Sequence, residues 1–185
     1  MSRKAFFFDR DGTLIKDNNY ICDFSEVEVF PFSVEALRIM EKKDFLLIGI
    51  TNQSSIARGI CKTKQVELIH IKLIEYFKKE NVNIRKIYFC PYLNSGIIDK
   101  YKRDDDCRKP KTGMILNAES EFDIDLSKSY MVGDSVKDII AGINAGCKTA
   151  LVLTGNGKIA IQELKKLNIK PNLIENNILE IAKKI

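Results

Sequence analysis

Short apolar runs alternate with longer amphipathic runs along the chain, and this alternation restricts the fold more than any other feature. Runs rich in Phe, Ile, Leu and Val are typical of strands buried on both faces of a sheet. Apolar residues spaced three and four apart are typical of helices packed on a sheet. We predict strands at residues 5–8, 45–50, 86–89, 130–132 and 149–153, helices at residues 33–43, 63–80, 113–122 and 135–146, and a last strand and helix within residues 172–185. This order predicts an α/β fold with a doubly wound, mainly parallel sheet.

Length and composition favour a single domain that spans residues 1–185. The chain has 185 residues, of which 45% are hydrophobic, and this is ordinary for a globular protein with one core. No charge-free run approaches the ~18 residues that a membrane span needs, and the N-terminal residues lack the pattern of a signal peptide. We therefore expect a cytoplasmic protein without a membrane partner, acting as a monomer.

Charge and cysteine content restrict the partners further. The net charge of +5 suits an anionic substrate, but the lysines are dispersed over helices rather than gathered in a basic stripe. A nucleic-acid partner is therefore not expected. The five cysteines are odd in number and widely scattered, which favours reduced thiols over a disulfide framework.

The segment FFFDRDGT places two carboxylates at the end of the first predicted strand. Asp9 and Asp11 are two residues apart, so in extended chain they point to the same side. An Asp-Gly hairpin turn at Gly12 is the structural alternative, but no second strand follows it. Magnesium bound between the carboxylates would relieve their repulsion. One could then attack an electrophile while the other exchanges a proton with the leaving group.

Polar residues also follow three later strands of the predicted sheet. The hydroxyls and amides of Thr51 to Ser54 form either an anion cradle or an ordinary polar turn. Lys109, held extended by Pro110, is a compact positive charge suited to a phosphoryl oxygen. Asp134 is a hard oxygen ligand of the kind that magnesium prefers, or the N-cap of the next helix. In parallel α/β sheets the ligand lies beyond the carboxyl ends of the strands, where all these residues are expected.

Taken together, FDRDGT, TNQS, RKP and VGDSVKD resemble the four motifs of the haloacid dehalogenase superfamily of phosphotransferases. The wording DRDGT, TNQSSIARG and DCRKPKTGM is similar to its histidinol-phosphatase-type branch. The resemblance, over about residues 5–157, implies a Rossmann-like fold and a magnesium-dependent phosphatase. Neither the stretch after Thr13 nor the one after Phe89 has the ~50 residues usual for a domain, so we expect no cap domain.

The resemblance also implies a role for each motif residue. Asp9 would be the nucleophile and Asp11 the general acid. Magnesium would bind Asp9, Asp134 and the backbone carbonyl of Asp11. The phosphoryl group would be held by Thr51 and Lys109, with Asn52, Gln53 and Ser54 completing its cradle. The substrate, a small phosphorylated sugar carrying a second phosphate, would meet Asp17, Asn18, Asn19, Tyr20 and Arg108.

The chain departs from the pattern of the branch in the loop before the lysine motif, at Ser55, where the branch usually has Gly, and at Ser135. Zinc-bearing members carry four Cys or His ligands in the loop before the lysine motif, where this chain has Cys90, Tyr92, Asp105 and Cys107. Tetrahedral zinc needs four ligands, so we expect a vestigial site without zinc. We expect this loop to be ordered partly by apolar packing of Tyr92, Ile97, Ile98 and Tyr101, with Arg108 and Lys109 flanked by Asp104 to Asp106. Ser135 also stands where many sugar-bisphosphate enzymes have a lysine.

Other readings of the sequence remain open. Histidinol phosphate or another small phosphomonoester is an alternative substrate, and a non-catalytic phosphate-binding scaffold is a remote alternative function. A nucleic-acid 3′-phosphatase is disfavoured because no aromatic stacking platform stands out. The one histidine, His70, lies within a predicted helix, where a surface or half-buried role is favoured over metal ligation.

Overall fold

One parallel sheet of six strands forms the centre of the protein in the computed structural model, which describes residues 2–185. The strands are β1 (Lys4–Phe8), β2 (Phe45–Asn52), β3 (Ile84–Cys90), β4 (Tyr130–Gly133), β5 (Lys148–Val152) and β6 (Leu173–Glu175). Their spatial order is β3-β2-β1-β4-β5-β6, and every neighbouring pair is parallel. The predicted parallel sheet is confirmed.

Six helices cover the two faces of the sheet. They are α1 (Ser33–Lys42), α2 (Thr63–Lys79), α3 (Gly113–Phe122), α4 (Val136–Asn144), α5 (Gly157–Lys166) and α6 (Ile178–Lys184). Side chains of β1 alternate between the faces, as the pleat of a strand requires. Phe6 and Phe8 pack with α1, α2 and α6, whereas Ala5 and Phe7 pack with α3 and α4. The predicted helices are therefore confirmed, and α5 is an additional element that the sequence pattern did not reveal.

The strand order places a topological switch point in the middle of the sheet. The chain runs outward from β1 to β2 and β3, and then returns to pair β4 on the other side of β1. Helices on the two halves leave the sheet on opposite faces there, which opens a crevice beyond the carboxyl ends of β1 and β4. Asp9 follows β1 directly and Asp134 follows β4 directly, so both enter this crevice.

Loops alone cover the crevice. Between β1 and α1 the described chain forms the short 3₁₀ turn Phe24–Glu26 and isolated β-bridges at Ile15, and between β3 and α3 it forms the 3₁₀ turn Asp99–Tyr101. Within residues 2–185 neither insertion is a folded cap, as predicted. No helix in the described part of the chain is long and apolar enough to cross a membrane.

Four cysteines are paired, which corrects the expectation of reduced thiols. Cys22 pairs with Cys61 and Cys90 with Cys107 as disulfides, each with a Cα–Cα separation of 5.4 Å. Cys147 is a free thiol and is buried. The partners lie 39 and 17 residues apart along the chain, so their proximity depends on loops that converge at one edge of the sheet. Spacing in the sequence carries no signal of such a pairing.

A buried hydroxyl joins the start of β1 to the segment before β4. The β1–β4 ladder begins at Phe6 and Tyr130, one residue after Ala5 and Ser129. The Ser129 hydroxyl accepts a hydrogen bond from the Ala5 backbone N–H at 2.9 Å and donates to the Asp125 carbonyl at 2.7 Å. Ser129 thus satisfies a buried donor that lies just outside the ladder.

We expect Ser129→Ala to lower the free energy of unfolding by about 1–3 kcal/mol, because it leaves the buried Ala5 N–H without a partner. Urea denaturation followed by circular dichroism measures this. Ser127→Ala is the matched control, since Ser127 is exposed and its hydroxyl bonds only the Asp125 side chain. An equal loss in the two variants would contradict the role given to Ser129.

Candidate active site

Three carboxylates meet in the crevice. Ligand oxygens of Asp9, Asp134 and Asp138 all lie within 4.8 Å of one another. The Asp9 backbone N–H donates to the Val132 carbonyl at 2.9 Å, which ties the end of β1 to the end of β4. Asp138 comes from the first turn of α4, where its carboxylate caps the N-terminus by accepting from the Ser135 backbone and hydroxyl. The N-cap of α4 is therefore Ser135, not Asp134.

The Lys109 ammonium lies among these carboxylates. Its Nζ is 2.8 Å from an Asp9 oxygen, 2.6 Å from an Asp138 oxygen and 2.6 Å from the Ile50 carbonyl. The Asn52 side chain fixes the backbone of Lys109 by donating to its carbonyl and accepting from its N–H, both at 3.0 Å. The Lys109–Pro110 peptide bond is cis. The end of β2 therefore holds the lysine motif in place.

Burial shapes the titration of this cluster. It raises the pKa of Asp9 to about 7 against the opposing charge of Lys109, and the charges of Asp138 and Asp11 add to the rise. Burial likewise raises the pKa of Asp134 to about 8, with Asp9 and Asp138 contributing. Burial alone would lower the pKa of Lys109, but the carboxylates of Asp138 and Asp9 raise it above its usual value. Lys109 therefore stays positively charged.

One lysine does not balance the charge of the cluster. Asp9 Oδ1 is buried and takes part in no hydrogen bond of good geometry, although it forms an ion pair with Lys109. Asp138 Oδ1 is likewise buried and paired only with Lys109, but the other oxygen of Asp138 caps the N-terminus of α4. Asp9 and Asp134 are thus two hard oxygen ligands in need of a cation, and this donor set fits Mg²⁺. Gly12 has a φ of 76°, and a Cβ there would overlap the Asp134 carboxylate.

Asp11 lines the same cleft as Asp9 but does not belong to the cluster of three carboxylates. Its carboxylate accepts from Arg10 and, at 2.9 Å, from the Gln53 side chain. Its predicted contact with magnesium, through the backbone carbonyl, stays a prediction. His70 is 5% exposed and contacts Arg10, so the expected surface or half-buried position of this histidine is wrong. The helix pattern alone did not show that α2 turns this residue inward.

Two adjoining clefts open from the cluster. The first, of about 240 Å³, is lined by Asp9, Asp11, Asp17, Thr51, Asn52, Ser54, Arg108, Lys109, Asp134, Ser135, Lys137, Asp138 and Asn156. The second, of about 260 Å³, is lined by Asp11, Asp17, Asn19, Tyr20, Asn52, Gln53, Ser54 and Ser55. Eleven of the twelve residues predicted for catalysis and substrate binding therefore line a cleft. Asn18 is the exception, and its side chain donates to the Glu26 carbonyl.

The sequence alone assigned no role to four residues that line the first cleft, which are Ser135, Lys137, Asp138 and Asn156. Asp138 is the last residue of the VGDSVKD motif, one helical turn beyond Asp134. Lys137 is exposed in the first turn of α4, and Asn156 donates its backbone N–H to the Asp134 carboxylate at 2.7 Å. The run LTGNG after the fifth strand was a usable signal for Asn156, because it is a further polar turn at a strand end.

The loop between β3 and α3 differs in part from its prediction. Tyr92 and Tyr101 do pack together, with ring centroids 6.0 Å apart. Ile97 is 74% exposed, so the expected apolar packing of this residue is wrong. Ligand atoms of Cys90, Asp105 and Cys107 lie within 4.8 Å of one another, with the two sulfurs joined as a disulfide. The absence of zinc stays a prediction.

The acidic run of this loop pairs with residues other than Arg108 and Lys109. Asp104 contacts Lys111 at 2.7 Å, and Asp105 contacts Arg103 at 2.9 Å. The Arg108 guanidinium instead donates to the Tyr92 carbonyl at 3.0 Å. Burial and the charge of Arg58 lower the pKa of Arg108, which lines the first cleft.

Comparison with known proteins agrees with this geometry. Residues 106–181 match the HAD-hydrolase-like family model. The chain is 37% identical over 187 residues to the D-glycero-beta-D-manno-heptose-1,7-bisphosphate 7-phosphatase of Pasteurella multocida, covering 99% of this chain and 97% of the relative. The chain belongs to the haloacid dehalogenase superfamily. It is also 35% identical over 158 residues to the D-glycero-alpha-D-manno-heptose-1,7-bisphosphate 7-phosphatase of Campylobacter jejuni, covering 85% of this chain and 87% of that one.

A solved structure of this superfamily extends the likeness to the whole fold. The D,D-heptose 1,7-bisphosphate phosphatase from B. bronchiseptica, complexed with magnesium and phosphate, aligns with a TM-score of 0.85 and 28% identity. The alignment covers 98% of this chain and 97% of that one. The family and the phosphatase class inferred from the motifs are confirmed.

We expect Mg²⁺ to stabilise the protein more at about pH 8.5 than at about pH 6. The folded-state pKa values of Asp9 and Asp134, about 7 and about 8, lie above the ordinary 3.8. The unfolded chain releases these protons near pH 3.8, whereas the folded protein holds them up to about pH 7 and about pH 8, so the stability of the metal-free protein falls as pH rises between these values. Mg²⁺ binds the ionised form and reverses the loss.

Thermal melts with and without saturating Mg²⁺ at the two pH values measure this difference. Asp134→Asn removes the negative charge of one proposed Mg²⁺ ligand and is the control. Its Mg²⁺-induced shift in Tm should be small at both pH values. A shift in the parent protein that does not change with pH would argue against the Asp9–Asp134 site.

Proposed function

We propose that this protein is a magnesium-dependent phosphatase that removes the 7-phosphate of a D-glycero-D-manno-heptose 1,7-bisphosphate. The observation that carries the proposal is that carboxylate oxygens of Asp9, Asp134 and Asp138 meet at the switch point of the sheet, with the Lys109 ammonium paired to Asp9. Relatives that are named for this reaction and cover nearly the whole chain support the choice of substrate.

Asp9 is the proposed nucleophile. One of its carboxylate oxygens attacks phosphorus, the bond from phosphorus to the sugar oxygen breaks, and Asp11 gives its proton to the departing alcohol. Water then attacks the phosphorus of the aspartyl phosphate and gives a proton to Asp11. The bond from phosphorus to the Asp9 oxygen breaks, which releases phosphate and regenerates the Asp9 carboxylate. Asp11 suits both steps because it lies at the junction of the two clefts, two residues from Asp9.

The other residues of the crevice hold the phosphoryl group. Lys109 is fixed by Asn52 and Asp138, so its ammonium is already in place when charge develops on the phosphoryl oxygens. Thr51 lies beside it and its hydroxyl accepts from Gln53 at 2.9 Å. Magnesium held by Asp9 and Asp134 would supply further charge stabilisation of the phosphoryl group.

The second phosphate of the substrate is proposed to bind a group of cations at the edge of the first cleft. Arg108 and Lys137 both line this cleft, and the charge of Arg58 acts on Arg108. An anion between these groups would relieve their mutual repulsion. Lys137 lies two residues beyond Ser135, so it is proposed to supply the positive charge that the branch often places at that position.

Two further parts of the proposal come from the sequence. We infer that the protein acts as a monomer in the cytoplasm, with a small phosphorylated sugar as its partner and without nucleic acid. The dispersed lysines support the exclusion of nucleic acid. Size-exclusion chromatography with light scattering would measure the oligomeric state directly.

We expect the heptose bisphosphate to be hydrolysed with the highest kcat/KM in a panel of phosphomonoesters assayed with Mg²⁺. The panel includes both anomers, because relatives named for each anomer match this chain, and also histidinol phosphate and sugar monophosphates. Released phosphate measures the rate. Asp9→Asn should lower kcat by at least about a thousandfold on every substrate, since it removes the nucleophile.

The substrate panel and the Asp9→Asn variant test different parts of the proposal. No preference for the heptose bisphosphate would overturn the proposed substrate while leaving the chemistry intact. Undiminished activity of a folded Asp9→Asn variant would overturn the proposed nucleophile.

Lys137→Ala should raise KM for the bisphosphate about tenfold and change KM for the 7-monophosphate little, because one charge-assisted contact to the second phosphate is lost. Initial rates on the two sugars give both constants. Lys158→Ala is the matched control, because Lys158 is an exposed lysine in the first turn of α5. The role given to Lys137 would be wrong if the variant raised KM equally for the two sugars.

A further inference from the structure

Arg10 carries a buried positive charge that the proposed chemistry leaves unused. It stands between Asp9 and Asp11 in the chain, but its side chain is 1% exposed and turns away from the cleft. Its guanidinium contacts three side chains, those of Asp11, Gln53 and His70. A buried guanidinium is stable only when its donors are satisfied, so these contacts are a structural requirement for keeping Arg10 inside.

The contact with Asp11 is bidentate. Arg10 Nη2 lies 2.9 Å from each Asp11 carboxylate oxygen, and Nε lies 3.1 Å from each. Two planar groups joined in this way have a restricted relative orientation. Gln53 adds a third contact, donating to Asp11 Oδ2 at 2.9 Å while it accepts from Arg10 Nη2 at 3.1 Å. The carboxylate plane of Asp11 is therefore set by Arg10 and Gln53.

His70 holds the other side of the guanidinium. Its Nε2 lies 3.0 Å from Arg10 Nη1. Arginine has only donors, so this ring nitrogen must be the acceptor and the imidazole must be neutral. Burial and the charge of Arg10 hold the pKa of His70 well below its usual value, which agrees with a neutral ring. The ring also packs edge-on against Phe89, with centroids 5.3 Å apart.

These contacts form a continuous path from α2 to the proposed general acid. We propose that His70 is a positioning residue for Asp11, acting through Arg10, and that it keeps the acid aligned with the leaving oxygen. The proposal rests on the proposed function of Asp11 as the general acid. Proton transfer requires close heavy-atom geometry, so a small rotation of the Asp11 carboxylate should slow this step selectively.

A positioning role and a purely structural role predict different dependences on the leaving group. An acidic phenol departs as its anion and needs little help from Asp11, whereas a weakly acidic phenol needs its proton. The value of kcat/KM reports the step in which the leaving group departs. Misalignment of Asp11 should therefore lower kcat/KM for aryl phosphates more as the phenol becomes less acidic. Partial unfolding would lower kcat/KM for all of them equally.

The experiment compares His70→Leu with His70→Gln in Mg²⁺ on a series of aryl phosphates of increasing phenol pKa. Leu removes the acceptor, whereas the Gln side-chain oxygen can reach the position of Nε2. We expect His70→Leu to lose about tenfold in kcat/KM with the least acidic phenol and less than about twofold with the most acidic. His70→Gln should lie near the parent protein throughout.

Ile69→Val is the control for a general weakening of α2. Ile69 is adjacent to His70 but packs in the hydrophobic core with Leu73 and Phe77. Circular dichroism verifies folding of each variant, and His70→Asn, whose side chain is too short to reach Nη1, replaces His70→Leu if the latter does not fold. A loss of the same size across the series, or a Gln variant as impaired as Leu, would overturn the proposal. Failure of the proposed chemistry would be distinct, since a folded Asp9→Asn variant would then hydrolyse the series as well as the parent protein does.

Discussion

The need to keep several carboxylates together in a buried crevice governs the centre of this structure. Asp9, Asp134 and Asp138 lie at the ends of two adjacent strands and the helix that follows, where burial disfavours their charged forms. Lys109 reaches this point only because β2 brings Asn52 beside its backbone. The parallel sheet, the strand order and the helix caps all contribute to gathering these charges, and Mg²⁺ is the cation that the remaining oxygens suit.

Much of this centre could be predicted from the sequence because its residues directly follow apolar strands. Asp9, Thr51 and Asp134 could each be placed by finding where a buried run ends, since parallel strands finish at one edge. Arg10 and His70 could not be placed in this way. The direction of Arg10 depends on a turn, and the burial of His70 depends on how α2 packs against Phe89. Both positions depend on tertiary packing, which the neighbouring sequence does not indicate.

The loops were the least predictable part for a related reason. Cys22 and Cys61 come from different loops, so their pairing follows from the convergence of strand ends rather than from any spacing. The acidic residues around Asp105 found partners in Arg103 and Lys111, because Lys109 was already committed to the interior. Helix α5 was not predicted because its short amphipathic run follows a glycine-rich turn and resembles a continuation of the loop.

Three consecutive residues at the end of β2 serve three different neighbours. Thr51 faces the first cleft, Asn52 holds the backbone of Lys109, and Gln53 holds Asp11. Successive side chains of a strand point in opposite directions. Inserting or deleting one residue upstream would therefore shift each side chain to the place that its neighbour now occupies. Insertions and deletions should therefore be tolerated in the loops over the crevice but not within β2. The substrate range is then freer to change during evolution than the chemistry.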